Sequence, residues 1–238
     1  MKESLKKWIA EFLGTFILVV VGCGTAIQVG GGSSAVGILA TSVAFGASII
    51  FIAYSLGRIS GGHVNPAVSL AVYLNGGLSL TDLIGYVTSQ FLGAFAGSAL
   101  LGTFFGGYAK TAANAAPIFH SEPNVFVALT VEIVLTFFFV LAVLGATSKK
   151  EDSSVAGIII ALALMGVHLV GTGITGTSVN PARGFSASVF AAIGGDVTSL
   201  TQCWIWIIGP LVGAVIAAFL WKLIANKQEA KEEKPSEE

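Results

Sequence analysis

The chain has 238 residues, is 54% hydrophobic with a mean hydropathy of +0.85, and only 11% of its residues are charged. A soluble domain of this length carries about a quarter of its residues as charges, so this composition excludes one and points to a bilayer. The net charge of −1 offers no basic field for nucleic acid.

The first apolar segment, 7–28, follows Lys2, Lys6 and Lys7, the pattern of a signal peptide. Val20-Val21-Gly22-Cys23 even resembles a lipoprotein cleavage box. Glu11 interrupts the run, however, and Glu11, Thr15 and Phe16 recur as Glu132, Thr136 and Phe137, so the segment reads as a retained transmembrane helix. A spanning helix needs about 20 mostly apolar residues. Segments 36–57, 82–106, 125–146, 153–172 and 203–225 qualify as well.

Two further helices read as too short to span. Ser60-Gly61-Gly62-His63-Val64 leads into Asn65-Pro66-Ala67, and an apolar stretch runs to Leu74 before Asn75-Gly76-Gly77. Gly171-Thr172-Gly173-Ile174-Thr175-Gly176-Thr177-Ser178-Val179 leads into Asn180-Pro181-Ala182, with the following stretch closed by Gly194-Gly195. Asparagine is a preferred N-cap and proline a preferred first helical residue, so each motif predicts a helix start. Glycine supplies the stop. The half-helices 66–74 and 181–193 are re-entrant, and the loops before them must be shielded by protein or line a water-filled cavity. The predicted fold is an all-α membrane protein with six transmembrane helices plus two re-entrant half-helices.

The two Asn-Pro-Ala copies lie 115 residues apart, close to half the chain. This divides it into a first repeat, 1–115, a second, 116–225, and a charged tail, 226–238, read as disordered and cytoplasmic. Gly93 and Gly97 pair in this reading with Gly209 and Gly213 as close-approach positions. Three spans per half invert the second repeat, so the half-helices enter from opposite sides and their N-termini meet near the midplane. With both termini inside, Lys2, Lys6, Lys7, Arg58, Lys149, Lys150, Lys222, Lys227, Lys231 and Lys234 lie on the inner side, and only Lys110 and Arg183 on the outer. That asymmetry marks the cytoplasmic face.

The chemistry sits at the motifs. Asn65 and Asn180 cap their helices through side-chain oxygens, which leaves the amide NH2 groups as donors toward a pore. The two helix N-termini add about half a positive charge each, which repels cations and excess protons. Arg183, directly after Pro181-Ala182, is costly inside an apolar protein and so needs a role. Cys23 and Cys203 have no metal-ligand spacing and read as packing residues. No nucleophile, metal cluster or phosphate loop appears, so neither an enzyme nor a cofactor is predicted.

On these residues, over 1–225, the chain resembles the major intrinsic protein family, the aquaporins and glycerol facilitators. The resemblance implies a narrow outer filter at Phe45, His168, Thr177 and Arg183, matched by their spacing from the motifs. That set is similar to the filter of water-selective bacterial members, where glycerol facilitators carry a small residue at the histidine position and aspartate after the arginine. It further implies that the carbonyls of Gly61, Gly62, His63 and Val64, and of Gly176, Thr177, Ser178 and Val179, form an acceptor ladder. Glu11 and Glu132 would brace the two loops through backbone N–H groups. A homotetramer in the cell membrane, with one pore per protomer, is the implied assembly. Two positions depart from the family pattern: Gly184 replaces the usual serine, and Trp206-Ile207 replaces an aromatic followed by Trp. The function expected is passive, water-selective conduction that excludes protons and ions. The rivals are a glycerol or small neutral-solute facilitator, an ion-coupled carrier using Glu11 and Glu132, and a non-conducting junction protein.

Overall fold

The computed structural model describes residues 3–108, 110–119, 121–148 and 154–232, with side chains described to residue 225. The first span is composite: α1 (Glu3–Leu18), a π turn (Val19–Cys23) and α2 (Gly24–Val29). Then come α3 (Ala35–Ser55), the single turn α4 (Gly57–Ser60), the short α5 (Pro66–Leu74) and α6 (Leu80–Phe104). After a connection bearing a small hairpin, Ile118–Phe119 against Glu122–Pro123, follow α7 (Val125–Ala146) and α8 (Ala156–Thr175). The short α9 (Pro181–Ile193), the turn α10 (Thr198–Thr201) and α11 (Cys203–Glu232) complete the chain. Among the described residues six helices are long and apolar enough to cross a membrane, at the six places expected.

Helix starts follow side-chain capping. The hydroxyls of Ser34 and Ser79 accept from the N–H groups of Gly37 and Asp82 at 3.0 and 3.1 Å, and Asn124 caps α7 through Val127 N–H at 3.0 Å. The short helices start at Pro66 and Pro181, as predicted. The last helix is drawn seven residues into the tail expected to be disordered, over a Lys-, Gln-, Glu- and Ala-rich stretch that favours helix. The rest of that tail, His120, Lys2, Lys149 and Lys150 lie outside the described residues.

The burial pattern suits a bilayer. Leu39, Phe51, Leu92, Phe138 and Phe219 are exposed, while Glu11, Gln90, Glu132, His168 and Arg183 are buried. An apolar outside with ionisable groups inside is the arrangement lipid demands.

Packing repeats between the halves. The first span lies along α6 as α7 lies along α11, while α3 and α8 join the halves. A side chain at Gly93 would strike the backbone of Phe12 and Phe16, and one at Gly213 that of Ile133 and Phe137. Because Phe16 matches Phe137, Gly93 is the counterpart of Gly213. The expected pairing of Gly93 with Gly209 and Gly97 with Gly213 is therefore off by one turn. Sequence spacing alone could not distinguish turns of a glycine-rich helix. Gly97 instead seats Val19, whose Cβ and Cγ1 would lie 3.0 Å from an added Cβ.

Gly93→Val should thus force α1 and α6 apart and lower unfolding stability by about 1–3 kcal/mol. Gly166→Ala, on a helix face with nothing within 4 Å, should leave stability unchanged or raise it. Thermal unfolding of the two purified variants checks both.

Candidate functional site

The short helices face each other by their N-terminal ends, and two reciprocal hydrogen bonds join them. Asn65 Nδ2 donates to the carbonyl of Val179 at 2.8 Å, and Asn180 Nδ2 donates to that of Val64 at 2.9 Å. Each asparagine also caps its own helix. Asn65 Oδ1 accepts from Ala67 N–H at 2.8 Å, and Asn180 Oδ1 from Ala182 and Arg183 N–H at 3.1 and 3.3 Å. Each NH2 has two donors, so one remains for a passing molecule. Val64 and Val179 each spend one carbonyl lone pair on the crossed bond, leaving the other.

The loops before the caps are held in an unusual backbone conformation. Val64, Thr177 and Val179 have φ of 46°, 47° and 43°. A β-branched residue pays of order 1–3 kcal/mol for such a position unless its surroundings enforce it. Two buried carboxylates provide the enforcement. Glu11 Oε1 accepts from His63 N–H at 2.9 Å and Ser60 Oγ at 2.7 Å, while its Oε2 accepts from Val64 N–H at 2.7 Å. Glu132 Oε1 accepts from Ser178 N–H and Thr175 Oγ1, both at 2.9 Å, and its Oε2 from Val179 N–H at 2.7 Å. The same brace thus occurs in both halves. Every acceptor of these carboxylates points at a loop donor or a neighbouring side chain, which leaves little capacity for proton relay.

The first brace is larger than the second. Gln90 Nε2 donates to Glu11 Oε2 at 2.7 Å and to Ser69 Oγ at 2.9 Å, and Tyr86 OH donates to the carbonyl of Ser60 at 2.6 Å. His63 Nδ1 lies 3.1 Å from Ser69 Oγ, with its ring edge-on to Tyr86. Gln90 and Tyr86 carried no sequence signal beyond being polar in an apolar span.

Toward one end, Phe45 and His168 stack with ring centroids 4.2 Å apart, and the Arg183 guanidinium carbon lies 5.4 Å from the Phe45 ring centre. His168 Nδ1 is 2.9 Å from the carbonyl of Leu164. A carbonyl only accepts, so that nitrogen carries the hydrogen, and in the neutral ring Nε2 is left as an acceptor. Among the described residues, Nε2 of His168, Nε of Arg183 and Oγ1 of Thr177 have no hydrogen-bond partner.

Asn114, on the connection between α6 and α7, is a residue the sequence did not single out. Its Oδ1 accepts from a terminal nitrogen of Arg183, and its Nδ2 donates to the carbonyl of Thr175 at 3.0 Å. The same connection is pinned where Ala116 N–H donates to Gln202 Oε1 at 2.8 Å. The Arg183 guanidinium also reaches back to its own loop. Its contact there is with Gly176, at 3.5 Å.

Three spaces lie along this line. One, about 370 Å³, lies on the Arg183 side and is walled by Thr41, Lys110, Thr172, Gly176, Arg183 and Asp196 among others. The opposite one, about 420 Å³, has Gly61, Gly62, His63, Phe139 and Trp221 in its wall. Between them, only about 20 Å³ is open to the centres of water-sized molecules, beside Phe45, His63, Asn65, His168, Asn180 and Arg183. Phe45, His168 and Arg183 therefore come together at this waist. Thr177 does not wall this waist: it is fully buried with its hydroxyl against Gly171.

Gly184 and Trp206 explain each other. A Cβ at Gly184 would run into Ser178 Oγ and come 2.9 Å from Cβ of Trp206, which is fully buried. Gly184 walls none of the three spaces. Gly184 and Trp206 thus pack against each other behind Ser178, which does wall the waist.

The chain matches the Major intrinsic protein family over residues 1–221. It is 41% identical over 227 residues to Aquaporin Z of Brucella melitensis biotype 1, covering 92% of this chain and 97% of that protein. It is 35% identical to Glycerol uptake facilitator protein-like 6 of Lactiplantibacillus plantarum, covering 94% and 100%, and 35% identical to Aquaporin Z of Rhodopseudomonas palustris, covering 93% and 94%. The X-ray structure of the aquaglyceroporin from Plasmodium falciparum shares the fold, with a TM-score of 0.79 at 20% identity over 93% of this chain and 97% of that one. The chain belongs to the major intrinsic protein family, whose members are channels and not enzymes.

Glu132→Gln should place an NH2 against the N–H of Ser178 or Val179, and Glu11→Gln one against His63 or Val64. Each is expected to lower stability by about 1.5–3 kcal/mol, the range for a hydrogen bond to a charged group. Thermal unfolding in detergent reads this directly. Asn114→Leu removes the side-chain anchor of Arg183 and is expected to cut water flux in liposomes, whereas Asn114→Asp, which keeps an acceptor, should restore much of it.

Proposed function

We propose that this protein is a passive, water-selective channel of the cell membrane. The observation that carries the reading is the waist: about 20 Å³ of open space between two vestibules. A space of this size, just above the roughly 10–15 Å³ that a single water centre needs, admits water in single file. In this reading the waist hinders glycerol, which brings six heavy atoms and three hydroxyls past Phe45 and His168.

The polar groups at the waist have distinct tasks in this reading. His168 Nε2 accepts from a passing water, and Arg183 donates to it. This replaces the bonds lost from bulk water while leaving no room for a larger solute. At the centre, the free N–H of Asn65 and that of Asn180 both donate to the oxygen of one water. That water then turns its hydrogens away along the pore and cannot accept a proton from its neighbour. The N-termini of α5 and α9, each with about half a positive charge, make a cation there unfavourable. The carbonyls of Gly61, Gly62, His63 and Ser178 serve as acceptors on either side, with Gly176, Val64 and Val179 contributing their remaining lone pairs. Thr177 contributes through its backbone.

The chain is further assigned two inverted repeats, 1–115 and 116–225, and both termini in the cytoplasm, because ten lysines and arginines fall on that side against two. The apolar exposed surface suits lipid and three sister protomers in a homotetramer. The name Aquaporin Z of two relatives supports water; the glycerol facilitator-like relative keeps a neutral-solute channel as the second reading.

Stopped-flow light scattering on proteoliposomes separates these. Fast shrinkage against a non-permeant osmolyte without re-swelling in glycerol is the expected result, and His168→Gly is expected to admit glycerol. Rapid glycerol entry in the wild type would move the protein to the facilitators.

A further inference from the structure

The waist depends on where the Phe45 ring lies, and that place is made by a residue in another helix. The first span does not run as a regular α-helix: a π turn, Val19–Cys23, is inserted between α1 and α2. Such turns shift the register of the side chains that follow and are frequent at functional sites. Gly22 sits in this turn, buried, with its backbone flat against the edge of the Phe45 ring. A Cβ at Gly22 would overlap Cδ1, Cε1 and Cζ of Phe45, the last at 2.7 Å. The ring is stacked on His168 with centroids 4.2 Å apart, and Arg183 lies over it. The ring therefore fits in a slot one side chain wide, between a glycine and the groups that wall the waist.

The first span has no room to back away from the ring. Behind it, Val19 is fully buried against Gly97 of α6, where an added Cβ would lie 3.0 Å from it. A Cβ at Gly24 would likewise lie 3.0 Å from Leu101 Cδ2, so this helix is wedged against α6 on both sides of Gly22. Added bulk at Gly22 would press on the Phe45 ring, whose neighbours are His168 and Arg183. In a space of about 20 Å³, part of a methyl group is a large intrusion.

We propose that Gly22, carried on the π turn of the first span, is a specificity-determining residue that sets the width of the waist by seating the Phe45 ring out of the water path. The inference rests on the water-channel reading and extends it to a residue that does not itself wall the waist.

The test is a double-mutant cycle on the full chain in proteoliposomes: wild type, Gly22→Ala, Phe45→Val and the double variant, with water permeability and its activation energy measured for each. With Phe45 present, Gly22→Ala should lower water permeability several-fold and raise the activation energy. With Val at position 45, the same substitution should change neither. An equal fall in both backgrounds would mean a general distortion of the first span and overturn the proposal, as would an unchanged permeability in Gly22→Ala. Should Gly22→Ala alone give no folded protein, recovery of folded channel in the double variant supports the collision, and failure to recover it overturns it. A wild type no faster than empty liposomes would instead defeat the water-channel reading, and this inference with it.

Discussion

Two crossed hydrogen bonds, from Asn65 to the Val179 carbonyl and from Asn180 to the Val64 carbonyl, fix the centre of this molecule. They tie together two helix N-termini that would otherwise repel each other, since each carries partial positive charge. They exist only because the loops before the asparagines hold Val64 and Val179 at positive φ, which turns those carbonyls toward the opposite half. Glu11 and Glu132 impose that conformation by accepting from two consecutive backbone N–H groups each. A buried carboxylate is costly in an apolar interior, and strained valines are costly anywhere. Here each offsets the other. The result is a rigid centre in which donors and acceptors are placed before any permeant arrives.

Much of this was legible in the sequence because the determinants are local. An asparagine before a proline marks a helix start whatever surrounds it, so both short helices begin and end where the residues say. Long apolar runs located the six spans for the same reason. The braces were legible through repetition: a single buried glutamate is ambiguous, but Glu11 and Glu132 in matching contexts pointed to a shared structural role. What escaped was set by packing between distant segments. The π turn has no composition of its own. Asn114 lies in an irregular connection, and only the folded chain brings it to Arg183. Gln90 resembled any polar residue in a span. The glycine correspondence slipped by one turn because helices rich in small residues match themselves at several registers.

One of the departures from the family pattern has a packing account: Gly184 lies against Trp206 and Ser178. In the fold, Trp206 and the hydroxyl of Ser178 occupy the volume a serine at 184 would use, and both Gly184 and Trp206 stand behind Ser178, which itself walls the waist. Phe45, His168 and Arg183 do reach it, each from a different element: α3, α8 and α9. Their mutual placement is thus a property of the whole bundle, with Gly22 and Asn114 acting behind them from two further segments.

In the proposed reading, a preformed waist passes water one molecule at a time and breaks the chain of proton transfer. The ratio of osmotic to diffusive water permeability, measured in one preparation of proteoliposomes with a pH-sensitive dye enclosed, tests it most directly. In a single file, waters cannot pass one another, so osmotic exceeds diffusive permeability. The account predicts a ratio well above unity, with proton flux no higher than in empty vesicles. A ratio near unity, or proton flux rising with water flux, would contradict it.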